Sequence, residues 1–289
     1  MLTLITATLN ASRYIEQAFA SVSDPRAVHH IVVDGGSTDK TVEICERFPW
    51  IETVVVPGCS IYDAWNIGVE RARGEWVMLL NADDELAEGT ADIVAAAFID
   101  HPKADIVAGR AVVISRNAPD KPPRVLVAAP GGRLDAEQLA LGVPAINAMA
   151  FHRRVFERHG LFDPTYRIAG DRAFLLQLAL RSPPTIIAPV NAVLYRYYAH
   201  QGSLTLSSGL NQRLRIARDH LLLTGHLLAD RPSRETARLL RYWRRREAAV
   251  ATMRCAAAGQ PAAALHFAAQ LFARPRPKSD AADGAVSRG

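Results

Sequence analysis

Acidic and amide side chains stand at the ends of two apolar runs. The stretch "EWVMLLNADDEL" (75–86) passes from Trp76–Leu80 straight into Asn81, Ala82, Asp83, Asp84 and Glu85. Neighbouring carboxylates repel one another, and a divalent cation is the usual group that offsets the repulsion. Hard oxygen ligands suit a hard divalent ion. The plainer alternative is a solvated acidic turn capping a helix that begins near Ala87. Asp34 has a similar place: it follows the apolar Ile31–Val33 and precedes Gly35-Gly36. A carboxylate there can accept an N–H or hydroxyl of a ligand, while the glycines let backbone approach it. A strand-end Asx-turn is the competing reading, with Asp39 capping the helix that follows. Asp63 and Asn66 are three apart and share one helix face.

The elements that must carry these groups can be read from the pattern. "LTLITATL" is β-branched and apolar, and Asn10, Ala11 and Ser12 are cap candidates for a helix running to about Val22. Strand, glycine turn and helix recur in "HHIVVDGGSTDKTVEICERF"; "IETVVVPG" is a third strand and "EWVMLL" a fourth. Between them "SIYDAWNIGVERAR" is helical, with Ile61, Trp65, Gly68, Val69 and Ala72 on one face. Trp65 reads as core. Alternating strands and helices predict an α/β fold, with a largely parallel sheet covered on both faces. Ligands of such sheets sit outside the carboxyl ends of the strands, so Asp34 and Asn81–Asp84 should face one crevice. Residues 116–135, rich in Pro, Gly and Arg, read as a mobile loop or surface excursion. A strand, a short helix, an apolar helix from about Arg172 and a last strand follow.

Charge divides the chain. Residues 1–206 hold 19 Lys+Arg against 23 Asp+Glu, a net of −4, whereas residues 207–289 hold 15 against 6, a net of +9. The basic segment suits anionic lipid, nucleic acid or an acidic partner. Cys45, Cys59 and Cys255 are widely spaced and odd in number, which disfavours a disulfide framework or a zinc site. The opening "MLTLITATLNASRY" has no basic leader with a long apolar core, and no apolar run reaches the ~18 residues of a spanning helix. The expectation is a cytoplasmic protein.

Five motifs in order, "TATLN", "VVDGGSTDKT", "SIYDAWNIGVERARGEWVMLLNADDEL", "GLFDPTYRIAGDRAFLLQLAL" and "YYAHQGSLT", resemble the GT-A-fold glycosyltransferases of family 2. The "IYDAxNxG" and "LNADD" blocks are similar to the subset that assembles bacterial surface polysaccharide and lipopolysaccharide. The resemblance implies a Rossmann-like nucleotide-diphospho-sugar transferase domain over 1–206, with a nucleotide-sugar half to about 110 and an acceptor half over about 111–206. A basic amphipathic helical extension (207–273) and a disordered tail (274–289) follow.

It also implies residue roles. Asp83 takes the place of the ligand of Mn²⁺ or Mg²⁺ on the donor diphosphate; Asn81 stands where the family's first acid usually is, facing the ribose or ordering the turn. Asp84 supports Asp83 or approaches donor sugar or acceptor. Thr8, Asn10 and Asp34 line the nucleoside pocket, and Asp63 and Asn66 lie near nucleotide-contacting positions. Trp65 replaces an Arg found in many relatives, which weakens the assignment of uracil as the base. Asp171 in "AGDRAF" matches the catalytic base, the alternative being that it merely N-caps the apolar helix; Arg172 beside it reads as solvated or acceptor-side. His200 matches a loop residue that reaches metal or diphosphate, with Gly202, Ser203 and Thr205 offering groups to phosphate.

The implied activity is inverting, metal-dependent transfer from a nucleotide-diphospho-sugar, UDP-linked, to a glycan or lipid-linked saccharide. The C-terminal helices, combining "LLLTGHLL" with "RLLRYWRRREAAV", suit peripheral docking on the inner face of an anionic membrane; an oligomer interface and a helix packed on the catalytic domain with a solvated basic face are the alternatives. No nucleic-acid motif accompanies the charge. Two rivals remain: a non-catalytic nucleotide-sugar-binding or scaffold subunit, kept alive by Asn81, and a sugar nucleotidyltransferase, weakened because "TATLNASRY" lacks a Gly-rich phosphate loop.

Overall fold

A computed structural model describes residues 1–118, 120–200, 209–273 and 278. Two compact units divide it: Met1–Asp135 with Val143–His200, and Ala136–Gly142 with the segment after Gln201.

The first unit holds one mixed sheet. β1 (Leu2–Thr8), β2 (Val28–Asp34), β3 (Ile51–Val55) and β4 (Trp76–Leu79) pair in parallel in the order β3-β2-β1-β4. The chain leaves β1 in one direction for β2 and β3, then returns to β1's other side as β4. That reversal makes a topological switch point, with a crevice at the carboxyl ends of β1 and β4. These strands are buried on both faces, so they read as continuous apolar runs rather than alternating ones. Val32 packs with Ile15, Phe19 and Ile44 on one side, while its neighbours Ile31 and Val33 pack with Ala64 on the other.

Helices α1 (Ile15–Ala20), α2 (Thr41–Glu46) and α3 (Ile61–Arg71) connect these strands. Glycine decides how closely α3 approaches: a Cβ on Gly68 would sit 2.3 Å from Ile5 Cγ2. The expected caps of α1 are corrected. Asn10 adopts φ 51°, and the amides of Asn10, Ala11 and Ser12 donate to Ser37 Oγ, Thr41 Oγ1 and Asp39 Oδ2, tying the β1–α1 turn to the β2–α2 loop. Asp39 Oδ1 also accepts from the Thr41 amide at the start of α2.

Beyond β4 the sheet is mixed, as the GT-A resemblance implies. β5 (Glu85–Leu86), α4 (Thr90–Asp100), β6 (Ile106–Ser115), β7 (Arg124–Val127), β8 (Met149–His152), α6 (Arg154–His159), α7 (Gly170–Leu180) and β9 (Ile187–Ala199) complete the unit, α5 being the Ala136–Leu141 helix of the second. β8 runs antiparallel to both β4 and β6, β9 lies parallel to β6, and β5 antiparallel to β9. Part of the expected mobile excursion is β7, which hairpins onto β6 with Arg110–Val113 opposite Arg124–Val127. Arg172 is 9% exposed, so the expectation of a solvated residue is corrected.

In the second unit α8 (Leu210–Ala229), α9 (Arg234–Ala257) and α10 (Pro261–Ala269) share a core of Leu214, Ala217, Leu221, Ala248, Ala251, Cys255 and Phe267. No helix among the described residues is long and apolar enough to cross a membrane.

Candidate active site

Asp83 and His200 come together at the crevice end of β4, although they are 117 residues apart. Asp83 Oδ2 lies 2.8 Å from His200 Nε2. The acidic turn after β4 presents Asp83, and β9 runs far enough to carry His200 past it. Two donors on one octahedral cation, each about 2.1 Å from it, stand roughly 3 Å apart at a cis edge. The observed separation is that of an ordinary carboxylate–imidazole hydrogen bond and is also compatible with such an edge; the carboxylate suits Mn²⁺ or Mg²⁺, while the imidazole suits Mn²⁺ better than the harder Mg²⁺. Among the described residues no group of three or more His, Cys, Asp or Glu side chains gathers for a metal, so the protein offers a pair and not a full cage.

A buried polar network holds this turn from beneath. Asp84 is 4% exposed and accepts from Asn81 Nδ2 (2.9 Å), the Tyr195 hydroxyl (3.0 Å) and the Tyr198 amide (2.7 Å). Burial, with Asp83 adding, pushes its carboxyl up to about 7 against those three hydrogen bonds. The Asn81 amide donates to Tyr195 Oη (2.9 Å), and Asn147 donates to the Leu79 carbonyl (3.1 Å) while accepting from the Tyr197 hydroxyl (3.0 Å). Burial drives both tyrosine pKa values well above the ordinary phenol, so each remains a neutral hydroxyl. Asp84 is therefore a supporting group for the turn; its oxygens face protein, not open crevice.

Above the turn, Arg116 lies between two rings, its Cζ 4.6 Å from the Tyr14 centroid and 4.2 Å from that of Tyr198. It donates to the Asp83 carbonyl (3.0 Å) and to Gln17 Oε1 (3.1 Å). The Tyr14 ring also lies 5.0 Å from the His200 ring. One cation thus fastens the β1–α1 segment, the end of β6 and the end of β9 around Asp83.

Several expected ligand contacts are occupied by the protein itself. Asp34 is fully buried, and its oxygens accept from the Gly36 amide (2.9 Å), the Ser37 amide (2.7 Å) and the Ser37 hydroxyl, as in the Asx-turn reading. Asp63 forms a capping box with Ser60, receiving the Ser60 amide at 2.9 Å while its own amide donates to Ser60 Oγ at 3.2 Å. Asn66 grips the backbone of Phe162 in both senses, 2.8 Å from its carbonyl and 2.9 Å from its amide. Asn81 belongs to the network above. Asp34, Asp63 and Asn66 were expected to contact nucleotide, and Asn81 to face the ribose or order the turn; here each also holds a loop of the site through these bonds. Asn10 is exposed and accepts from Thr38. Thr8 ends β1 opposite Asp34, and its hydroxyl is buried without a hydrogen-bond partner among the described residues.

Asp171 lies in the first turn of α7, whose cap residue, Ala169, makes no side-chain cap. Its Oδ1 accepts from the Arg172 amide (2.7 Å) and lies 3.5 Å from the Tyr62 hydroxyl, which also donates to the Ile168 carbonyl (2.7 Å). Gly170 makes this possible: a Cβ there would meet the Tyr62 ring at 2.7 Å. Trp65, 4% exposed, packs edge-on against Tyr62 and Phe162 as a core residue. Gly202, Ser203 and Thr205 lie outside the described residues.

Arg116, Tyr14, Tyr62, Asn147, Tyr195 and Tyr197 were not singled out in the sequence. A signal existed for two of them: alternation in "LYRYY" puts Tyr195 and Tyr197 on one face of β9. The Ser60-x-x-Asp63 spacing likewise announces a capping box.

A PGL/p-HBAD biosynthesis glycosyltransferase of Mycobacterium bovis (strain BCG / Pasteur 1173P2) is 29% identical over 214 residues, 71% of this chain and 79% of the relative. Staphylococcus aureus TarS 1–349 superposes with a TM-score of 0.58 at 18% identity, over 77% of this chain and 64% of that one, so the chain spans just under two thirds of it. The mannosyltransferase PcManGT of Pyrobaculum calidifontis, in complex with GDP-Man and Mn²⁺, gives 0.57 at 19% identity over 99% and 81%. The two structural likenesses establish the GT-A fold. The model of "Glycosyl transferase family 2" matches residues 3–160, more than half of the 289, and takes in β1 to β4 and the acidic turn; the chain therefore belongs to glycosyl transferase family 2 and is a glycosyltransferase.

Proposed function

We propose that this enzyme transfers a sugar, with inversion, from a nucleotide-diphospho-sugar to a glycan or lipid-linked saccharide of the cell surface, using Mn²⁺ or Mg²⁺. The observation that carries the reading is the 2.8 Å approach of Asp83 and His200 at the switch-point crevice, held by Arg116 above and by the Asn81–Asp84–Tyr195 network below. In this reading Asp83 and His200 hold the cation. When bound, the cation neutralises charge on the departing diphosphate. Thr8 and Asn10 face the nucleoside, while Asp34, Asp63, Asn66, Asn81 and Asp84 fix the loops around it.

Asp171 is the proposed base. Its carboxylate takes the proton of the acceptor hydroxyl as that oxygen bonds to the anomeric carbon and the bond to the diphosphate oxygen breaks on the opposite side. Inversion follows from attack opposite the leaving group. Tyr62 and the Arg172 amide orient the carboxylate. Uracil is the proposed base of the donor; S. aureus TarS has been solved in complex with UDP-GlcNAc, and PcManGT in complex with GDP-Man and Mn²⁺. Peripheral contact with a membrane through the C-terminal helices belongs to the same reading, since it would bring the enzyme to a lipid-linked acceptor.

The test is calorimetric titration of UDP, and of GDP in parallel, with Mn²⁺ and then in EDTA. UDP binding that requires Mn²⁺ and disappears in Asp83→Ala is expected. Asp171→Asn should bind nucleotide as the wild type does and lose roughly 10²–10⁴-fold in transfer. Metal-independent binding, or normal transfer by Asp171→Asn, would overturn the respective role.

A further inference from the structure

The sequence suggests docking through an amphipathic helix that lays its apolar face on the bilayer. The fold of the second unit removes that option for α9. Its apolar residues Ala237, Leu240, Trp243, Ala248, Ala251 and Cys255 are buried, several of them in the core shared with α8 and α10. Most of what the first half of α9 leaves in solvent is arginine. Arg234, Arg238, Arg241 and Arg245 are exposed and follow one another at i, i+4, i+7 and i+11. At 3.6 residues per turn these positions fall in a stripe roughly 60° wide and about 17 Å long.

The stripe is poorly neutralised. The acids of α9 are Glu235 and Glu247. Glu235 is exposed on the flank, whereas Glu247 lies 3.5 Å from both His220 and Arg246. Among the described residues no carboxylate pairs with any of the four arginines of the stripe. On the flank of the stripe stands Tyr242, 58% exposed. Tyrosine is favoured at headgroup depth, where one end is apolar and the other wet.

We propose that this arginine stripe docks the enzyme on a membrane of anionic phospholipid, by electrostatic adsorption at the headgroups and without burial of the helix in the acyl region. A single straight row of guanidinium groups matches a plane of phosphodiesters, and no nucleic-acid-binding motif accompanies it. The proposal rests on the reading of the acceptor as lipid-linked for its purpose, but not for its test.

The experiment is co-sedimentation of the full chain with vesicles of phosphatidylcholine alone and of phosphatidylcholine mixed with phosphatidylglycerol. Binding should be confined to the anionic vesicles and vanish in 1 M salt, where the screening length falls to about 3 Å. Each neutralised arginine should lower partitioning about fivefold, so the triple variant Arg238→Gln, Arg241→Gln, Arg245→Gln should lose roughly a hundredfold. These side chains are solvated, and the variant's circular dichroism and nucleotide binding should match the wild type. Equal binding to neutral vesicles, no binding to anionic ones, wild-type partitioning by the triple variant, or a loss confined to RNA retention would each overturn the proposal. Asp171→Asn separates the two readings: it should keep vesicle binding whatever its transfer activity.

Discussion

In the sheet unit, Asp84 is 4% exposed and three donors converge on its carboxylate; in the helical unit, four arginines stand in a row in solvent with no carboxylate paired to them among the described residues. Both units concentrate charge, to opposite effect. Around the acidic turn each ionisable group fixes its neighbour, so one substitution should disturb several contacts together. Along α9 the groups repeat and touch little, so effects should be graded and salt-dependent. Chemistry at a point requires the first arrangement; recognition of an extended charged plane requires only the second. Arg244 qualifies the contrast, since it is buried within the helical unit and donates to the Leu221 carbonyl (2.5 Å) and Gln270 (3.0 Å).

The largest effect expected from the sheet unit's intolerance of unpaired charge lies at His30. It is fully buried, bonded to Thr6 Oγ1 at 3.0 Å, and burial, with His29 adding, lowers its pKa to about 3. Between pH 6.5 and about 3 the unfolded chain binds a proton here that the folded chain refuses. Stability is therefore complete above pH 6.5 and falls as pH drops through this window, by about 2 kcal/mol at pH 5. Denaturant melts of the wild type and His30→Gln between pH 4 and 8 check this. The variant's pH dependence should be flatter by that amount, and parallel curves would remove His30 from the account.

Arg116 sharpens the comparison, because its cation is held by rings and carbonyls where the α9 arginines are held by water. Lysine keeps the charge but has no flat face to fill both the Tyr14 and Tyr198 slots. Arg116→Lys should lower stability by about 1 kcal/mol, the size of two modest cation–π contacts, and raise the Kd for UDP in the presence of Mn²⁺ as the segment around Asp83 loosens. Melting temperature should fall by about 2–4 °C. Unaltered UDP affinity would make Arg116 a surface residue like those of α9.

The same difference explains what could be read before any coordinates. β1 to β4 were legible because strands buried on both faces write themselves as apolar runs, and α3 because its period and its Gly68 are local. Asp83, His200 and Asp171 were named from motif order. Their surroundings were not legible. The Asn147–Tyr195–Asp84 network joins positions 48 and 111 residues apart, and nothing local marks Asn147 as the residue beneath Leu79. β8 reads as a strand, but its antiparallel insertion between β4 and β6 is a fact of pairing, which periodicity does not encode. Asp34, Asp63 and Asn66 stand on the elements expected of them, but the bonds they make to their own loops were only partly legible, because an acid at a strand end looks the same whether it meets ligand, its own loop or both.

Additivity is the finest test of the contrast. Asn81 and Tyr195 touch each other and Asp84, so removing either leaves the other's partners altered. A double-mutant cycle of Asn81→Ala and Tyr195→Phe should give a coupling energy of about 0.5 kcal/mol or more in unfolding free energy. Arg238 and Arg245 are seven residues apart on one helix, roughly 10 Å along its axis. Their glutamine variants should each shift stability by less than about 0.5 kcal/mol and combine additively within about the same margin. Denaturant titrations of the six variants and the wild type yield both numbers. Coupling in the α9 pair as large as in the network pair would mean that the stripe is an ordered structure in its own right; an additive network pair would mean that the turn around Asp83 is held by backbone alone.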